Sequence, residues 1–378
     1  MGGMIYSIIF GPISSGIGRF LPIAKERNEE GIYLDNVYGI ISKLSIKIAF
    51  LSIFIIIIFY FSEYQKWLDL LLASIGFGFI YSFNNLIICL QEALRKRGIV
   101  SFNQGLMTIA RFLFAVIFIK IFGSSGSIVI YGQFIGLLLV LISQIYFFRK
   151  TIRTSINNKI KTSEIDWQSQ IINYSRPLIT LGFLNWLRLA AEKWGLFFFT
   201  NYDEAVGYYS IIYQFGYYPI ALIINFLLTY LRPIYFEKAG DDKRKLKTTY
   251  YFGIKIFIFS FISLALFILV ISNFRNVIFG FILDKNYISA IYLIPPMMLA
   301  ALLSESTSFV SVLIKTKKET KSLILPNTIT YISGLLLAII GAYFGGLYGI
   351  VFGSVLNSFI KFILFAYLCN YQYKKLNI

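Results

Sequence analysis

The sequence predicts an all-α polytopic membrane protein: about eleven transmembrane helices in two bundles around a central cavity. Three observations carry that class. Of the 378 residues, 57% are hydrophobic and only 14% charged, with a mean hydropathy of +0.72, which leaves too few polar residues to cover a soluble globular surface. The apolar residues arrive in blocks of 18 or more, long enough to cross about 30 Å of hydrocarbon. Lysine and arginine fall almost entirely in every second connection between those blocks, the charge asymmetry that orients membrane helices.

Taken in order, the apolar segments run over roughly 4–23, 42–62, 68–90, 103–122, 126–148, 172–200, 204–233, 249–272, 287–314, 322–343 and 346–370. Lipid offers backbone groups no outside partner, so each is expected to be a helix. The Gly345-Gly346 junction leaves almost no loop between the last two. The odd-numbered connections and the tail hold 21 basic residues, among them Arg95–Arg97, Arg149, Lys150 and Lys315–Lys321, against 4 in the even-numbered ones: Lys66, Lys120, Arg275 and Lys285. The larger set belongs on the cytoplasmic side, which puts the C-terminus inside and the N-terminus outside. An outside start with an odd helix count is repaired by one further helix ahead of Met1, giving six plus six. On this reading the chain is an N-terminal lobe (1–150), a basic cytoplasmic linker (151–171, "TIRTSINNKIKTSEIDWQSQI") and a C-terminal lobe (172–378), a layout of transporters built from two parallel halves. The endings "RFLPIAKE" (19–26) and "LRPIYFEKAG" (231–240) hint at an internal repeat.

Composition also excludes. The net charge of +17 is absorbed by orientation, so no nucleic-acid partner is expected. Two cysteines, Cys89 and Cys369, without metal spacing, give no disulfide framework, and no metal or cofactor site is expected. The absence of histidine removes a histidine proton relay. With no phosphate-cradling loop and no large outside loop, enzyme chemistry is not expected.

What remains is charge inside the membrane. Arg19 lies near the end of the first segment, where it either snorkels or faces a cavity beside Gly11, Gly16 and Gly18. Arg111 lies near the middle of its segment, where an unpaired cation costs about 2.5–3.5 kcal/mol. Ser101, Gln104, Thr108 and Arg111 are spaced to form one polar stripe. In "NWLRLAAEKWG", Arg188 and Glu192 stand at i,i+4 and can pair, while Lys193 has no helical partner. Gln214, Tyr218, Ala221 and Asn225 align further on, as do Ser304, Ser308, Ser311 and Lys315 with Glu305 beside them. Glu305 and Glu192 are the candidates for coupling to H+ or Na+, or for structural pairing with an intramembrane cation. Lys361 is open between snorkelling and a deeper role. The tyrosine-rich "VGYYSIIYQFGYYP" (206–219) is belt, packing or sugar-stacking.

"FGPISSGIGRFLPIAKERN", "EKWGLFFFTNYDEAVGYYSIIYQFGYYPIALI" and "YLRPIYFEKAGD" resemble polysaccharide-repeat flippases, of the O-antigen and capsule type, in the multidrug/oligosaccharidyl-lipid/polysaccharide exporter superfamily. The resemblance implies two six-helix lobes around a central cavity, of which this chain lacks the first helix. It implies that an undecaprenyl-diphosphate-linked oligosaccharide crosses the bacterial inner membrane by alternating access. Arg19, Arg111, Arg188 and Lys193, with Gln104 and Gln214, would hold the substrate. Membrane lipids are expected partners, with a polysaccharide polymerase and glycosyltransferases of the same pathway as further ones, and the protein is expected to be a monomer. The alternatives are a cation-coupled drug or organic-ion exporter of the same superfamily, and a membrane polymerase or glycosyltransferase.

Overall fold

A computed structural model describes residues 2–94, 96–155, 165–200, 204–239, 243–316 and 320–374, and no strand occurs among them. A helical turn α1 (Gly2–Ile5) passes through a π-helical turn (Tyr6–Phe10) into α2 (Gly11–Glu26). Then come α3 (Glu30–Tyr60), α4 (Leu68–Ala93), α5 (Arg97–Phe122), α6 (Gly126–Ser155) and α7 (Trp167–Phe199). In the second half, α8 (Ala205–Ile212) runs through a second π-helical turn (Tyr213–Tyr217) into α9 (Tyr218–Ala239). It is followed by α10 (Lys243–Ile282), α11 (Ile294–Thr316) and α12 (Ile324–Lys374).

Nine helical stretches are long and apolar enough to cross a membrane, among the described residues. One of them, Lys321–Lys374, breaks at Gly346, whose φ of 51° and ψ of −129° suit glycine alone. That break gives the two segments expected on either side of the Gly345-Gly346 pair. α7 is long enough too, at 33 residues, but Arg176, Arg188, Glu192 and Lys193 dilute its apolar character. The expected segments are therefore present in order. The helices overrun them where the flanks are polar: α3 begins at Glu30, not near 42, and α10 extends over 40 residues. Hydropathy registers the buried length of a helix, whereas backbone hydrogen bonding continues into its polar ends.

The chain divides into two compact units, Met1–Trp186 and Leu187–Ile378. The division falls within α7, and residues 156–164 of the expected linker lie outside those described. The first part of α7 is fastened into the N-terminal unit by Ser175, whose hydroxyl donates to the Pro12 carbonyl (3.2 Å), and by Trp167, whose Nε1 donates to Glu29 Oε2 (3.0 Å). Trp167, Ile171, Phe10, Ile17 and Tyr33 are fully buried together. In the same unit α6 lies against α5 backbone to backbone. A Cβ on Gly136 would stand 2.6 Å from the Ala110 carbonyl oxygen, and one on Gly132 2.5 Å from that of Phe114. With hydrocarbon on the outside, helix association rests on such close packing rather than on water exclusion.

The C-terminal unit is built around α11, most of which is buried. Met298, Leu302, Phe309 and Leu313 pack with Ile220, Ile224 and Tyr250 from α9 and α10. Beyond its break, α12 folds back so closely that side chains on Gly341 and Gly349 would each meet the other's backbone.

Candidate functional site

The C-terminal unit holds an ionic network inside its helices. Arg188 and Glu192 sit one turn apart on α7, and Arg188 Nη1 donates to Glu192 Oε1 at 2.9 Å. Glu192 is 4% exposed, so its charge survives only with partners. The second partner comes from α8, where the Tyr209 hydroxyl donates to Glu192 Oε2 at 2.7 Å. Gly334 on α12 leaves room for the arginine stem: a Cβ there would stand 2.6 Å from both Arg188 Cδ and Asn357 Nδ2.

A second carboxylate repeats the arrangement. The Tyr217 hydroxyl, at the end of the π-helical turn, donates to Glu305 Oε1 at 2.6 Å. The Tyr213 ring stacks on that of Tyr217 at 4.8 Å and 10° and connects the two tyrosine–carboxylate pairs. Next to Glu305, the buried Ser304 accepts a hydrogen bond from Lys361 Nζ at 3.0 Å. That places the Lys361 ammonium within electrostatic reach of both Glu305 and Arg188. On the same stretch of α12, Asn357 Oδ1 accepts from Ser333 Oγ at 2.9 Å. Two basic side chains, Arg188 and Lys361, thus share one network with two acidic ones, Glu192 and Glu305.

The N-terminal unit is different. Arg111 on α5 donates from Nη2 to Gln133 Oε1 at 3.3 Å, and its guanidinium lies 5.3 Å from the Phe77 ring centroid and 5.8 Å from that of Tyr81. Its Nε is buried without a hydrogen-bond partner. No ion pair reaches it among the described residues, so aromatic faces and one amide carry the whole stabilisation of this cation. Gln104 and Thr108, on the same stripe, are exposed, while Asn103, on another face of α5, is buried and donates to Gln91 Oε1 at 3.0 Å. Arg19 on α2 is exposed and lies 5.8 Å from the Tyr174 ring of α7.

Of the expected site residues, the C-terminal unit joins Arg188 to Glu192 and surrounds Glu305 with Tyr217, Ser304 and Lys361. It leaves Lys193 and Gln214 exposed. Arg111, Arg19 and Gln104 keep to the other unit, each with its own surroundings. The side chain of Lys315 lies outside the description. Among the described residues no three His, Cys, Asp or Glu side chains group to hold a metal ion.

Several participants escaped the sequence. Tyr209 and Tyr217 were expected as belt, packing or sugar-stacking residues, yet their hydroxyls bind carboxylates. Their spacing of eight in a tyrosine-rich run was the available signal. Nothing local connects Lys361 to Ser304 or Asn357 to Ser333, since those contacts come from tertiary packing.

No family model matches the chain, and no curated relative matches it. Solved structures do. A MOP superfamily transporter from Pyrococcus furiosus Vc1 (DSM3638), described as having a binding pocket of reverse polarity that suggests a different function, superposes with a TM-score of 0.70 at 14% identity, over 100% of this chain and 86% of that one. An outward-facing multidrug resistance MATE family transporter of the MOP superfamily gives 0.64 at 15%, over 99% and 85%. A point mutant of a MATE protein gives 0.68 at 16%, over 100% and 86%. At these identities the likeness concerns the fold: this chain has the helical fold of MATE and MOP superfamily transporters.

Proposed function

We propose that the chain is a membrane exporter working by alternating access, coupled to H+ or Na+ through the carboxylates of its C-terminal unit. The single observation behind this is the network of the buried Glu192 and the half-buried Arg188, Glu305 and Lys361 with its tyrosine donors. Charges held deep in a membrane helix bundle are costly and mark ion or substrate pathways. A network of two basic and two acidic side chains is balanced, so one added cation at Glu305 upsets that balance. In surroundings of low dielectric, an excess charge beside Lys361 and Arg188 costs several kcal/mol, enough to favour a rearranged packing. The π-helical turn that carries Tyr217 is a place where such repacking can be absorbed.

Two cargo classes follow. The multidrug resistance transporter among the structural neighbours favours an organic or drug-like ion exporter over the lipid-linked oligosaccharide carrier implied by the sequence resemblance. The second reading, undecaprenyl-diphosphate-linked oligosaccharide as cargo, has one observation of its own: Arg111, an intramembrane cation with no carboxylate partner among the described residues, suits a diphosphate. On either reading the protein resides in a bacterial inner membrane with its C-terminus in the cytoplasm, an orientation supported by the 21-to-4 distribution of basic residues. It would act as a monomer. The lipid-linked reading adds a polysaccharide polymerase and glycosyltransferases of the same pathway as partners.

Proteoliposomes separate the readings. With an imposed pH or Na+ gradient, the wild type is expected to move a fluorescent organic cation and Glu305→Gln to move none. The lipid-linked reading predicts instead that a lipid-diphosphate oligosaccharide changes leaflet under the gradient, and that Arg111→Ala stops it. A wild-type protein inactive in both arms would overturn the proposal.

A further inference from the structure

The C-terminal unit also contains a cavity of about 280 Å³ between α10, α11 and α12. Its walls are apolar, including Phe257, Val310, Phe362 and Ala366, and Ala366 is exposed. Along α12 the lining runs from Phe362 to Tyr373, eleven residues or ~16 Å at helical rise. That is about half the ~30 Å hydrocarbon thickness, the depth of a single leaflet.

One end of the cavity is polar. Tyr373 lines it and donates its hydroxyl to that of Tyr251 on α10, and the exposed Asn370 lies one turn before Tyr373. Such a tyrosine pair is placed as residues of the membrane–water boundary are. Lys374 follows Tyr373 and is exposed. On α10, Lys247 precedes Tyr251 by one turn on the stripe that continues to the lining residues Ile254 and Ile258. The sequences of α10 and α12 contain no aspartate or glutamate, whereas Lys243, Arg244, Lys245 and Lys247 open α10. An apolar slot one leaflet deep therefore ends where α10 and α12 themselves carry basic residues and no acidic ones, Asp241 and Asp242 standing just ahead of α10.

We propose that this cavity is a binding site for an anionic phospholipid, with an acyl chain between α10 and α12 and the phosphate at Lys247 and Lys374. The slot length matches a chain confined to one leaflet, the Tyr251–Tyr373 pair sits at the ester level, and the lysines supply the charge complementarity. This site shares no lining residue with the carboxylate pairs and does not depend on which cargo the protein carries.

The test uses the full chain, purified and equilibrated with phosphatidylglycerol or phosphatidylcholine, then stripped and examined by native mass spectrometry for retained lipid. The wild type is expected to retain phosphatidylglycerol about tenfold better than phosphatidylcholine. Ala366→Trp, which fills the slot, is expected to lose the retained lipid. Lys247→Gln with Lys374→Gln is expected to abolish most of the tenfold preference. Equal retention of the two lipids by the wild type, or undiminished phosphatidylglycerol on Ala366→Trp, overturns the proposal. If Ala366→Trp does not give a monodisperse protein, the lysine pair decides, and an unchanged preference there overturns it equally.

Discussion

Replacing Glu192 by glutamine tests the ionic network at its most buried member. Glutamine keeps an oxygen for the Tyr209 hydroxyl, whose donor distance is 2.7 Å, but sets a neutral amide against the Arg188 guanidinium at 2.9 Å. The attraction removed is ~6 kcal/mol at an effective dielectric of about 20, gross of desolvation. With side-chain exposures of 16% and 6% for Arg188 and Glu192, little water reaches the orphaned cation. Breaking a buried pair from one side then costs ~3–5 kcal/mol, or ~6–10 °C in Tm at about 2 °C per kcal/mol for a protein above 150 residues. Adding Arg188→Met removes the orphan while Tyr209 retains its acceptor, so the double variant is expected to recover at least half of the loss. Thermal unfolding of detergent-purified wild type, Glu192→Gln, Arg188→Met and the double variant, followed by tryptophan fluorescence, completes the cycle. Glu192→Gln within 2 °C of wild type, or a double variant as unstable as the sum of its singles, would refute the pairing argument.

The other expectations follow from the same kind of accounting. Tyr217→Phe deprives the Glu305 carboxylate of its 2.6 Å donor and is expected to cost ~1–3 kcal/mol, read as a lowered Tm with unchanged helical circular dichroism. Gly349→Ala drives a methyl group into the Gly341 backbone; it is expected to yield aggregated protein on size exclusion, whereas Gly207→Ala, with open space around it, is expected to behave as wild type. Arg111→Ala removes a cation that only Gln133 and two aromatic rings stabilise. Its stability is therefore expected to change by ~1 kcal/mol or less, about 2 °C in Tm, and a collapse of the fold would show that the arginine is structural.

The helices were legible because membrane burial writes itself into long apolar runs, and the short Gly345-Gly346 junction marked the break in α12. The pairing of Arg188 with Glu192 was legible for a local reason, since i,i+4 on one helix fixes the distance. Glu305 stood out as a carboxylate in an apolar run, yet its donor Tyr217 lies 88 residues away, beyond any helical spacing. Lys361 illustrates the same limit: its serine is 57 residues distant. In the C-terminal unit Arg188 is paired with Glu192, whereas in the N-terminal unit Arg111 and Arg19 have no ion pair among the described residues.

The central claim, transport by alternating access, is tested most directly by counterflow. Vesicles holding the protein and preloaded with unlabelled cargo, an organic cation in one set and lipid-diphosphate oligosaccharide in the other, are diluted into a trace of labelled cargo without any ion gradient. A carrier exposing one site to each side in turn gives a transient, saturable overshoot of label above equilibrium in one of the sets. Simple equilibration, or no protein-dependent movement in either set, contradicts the account.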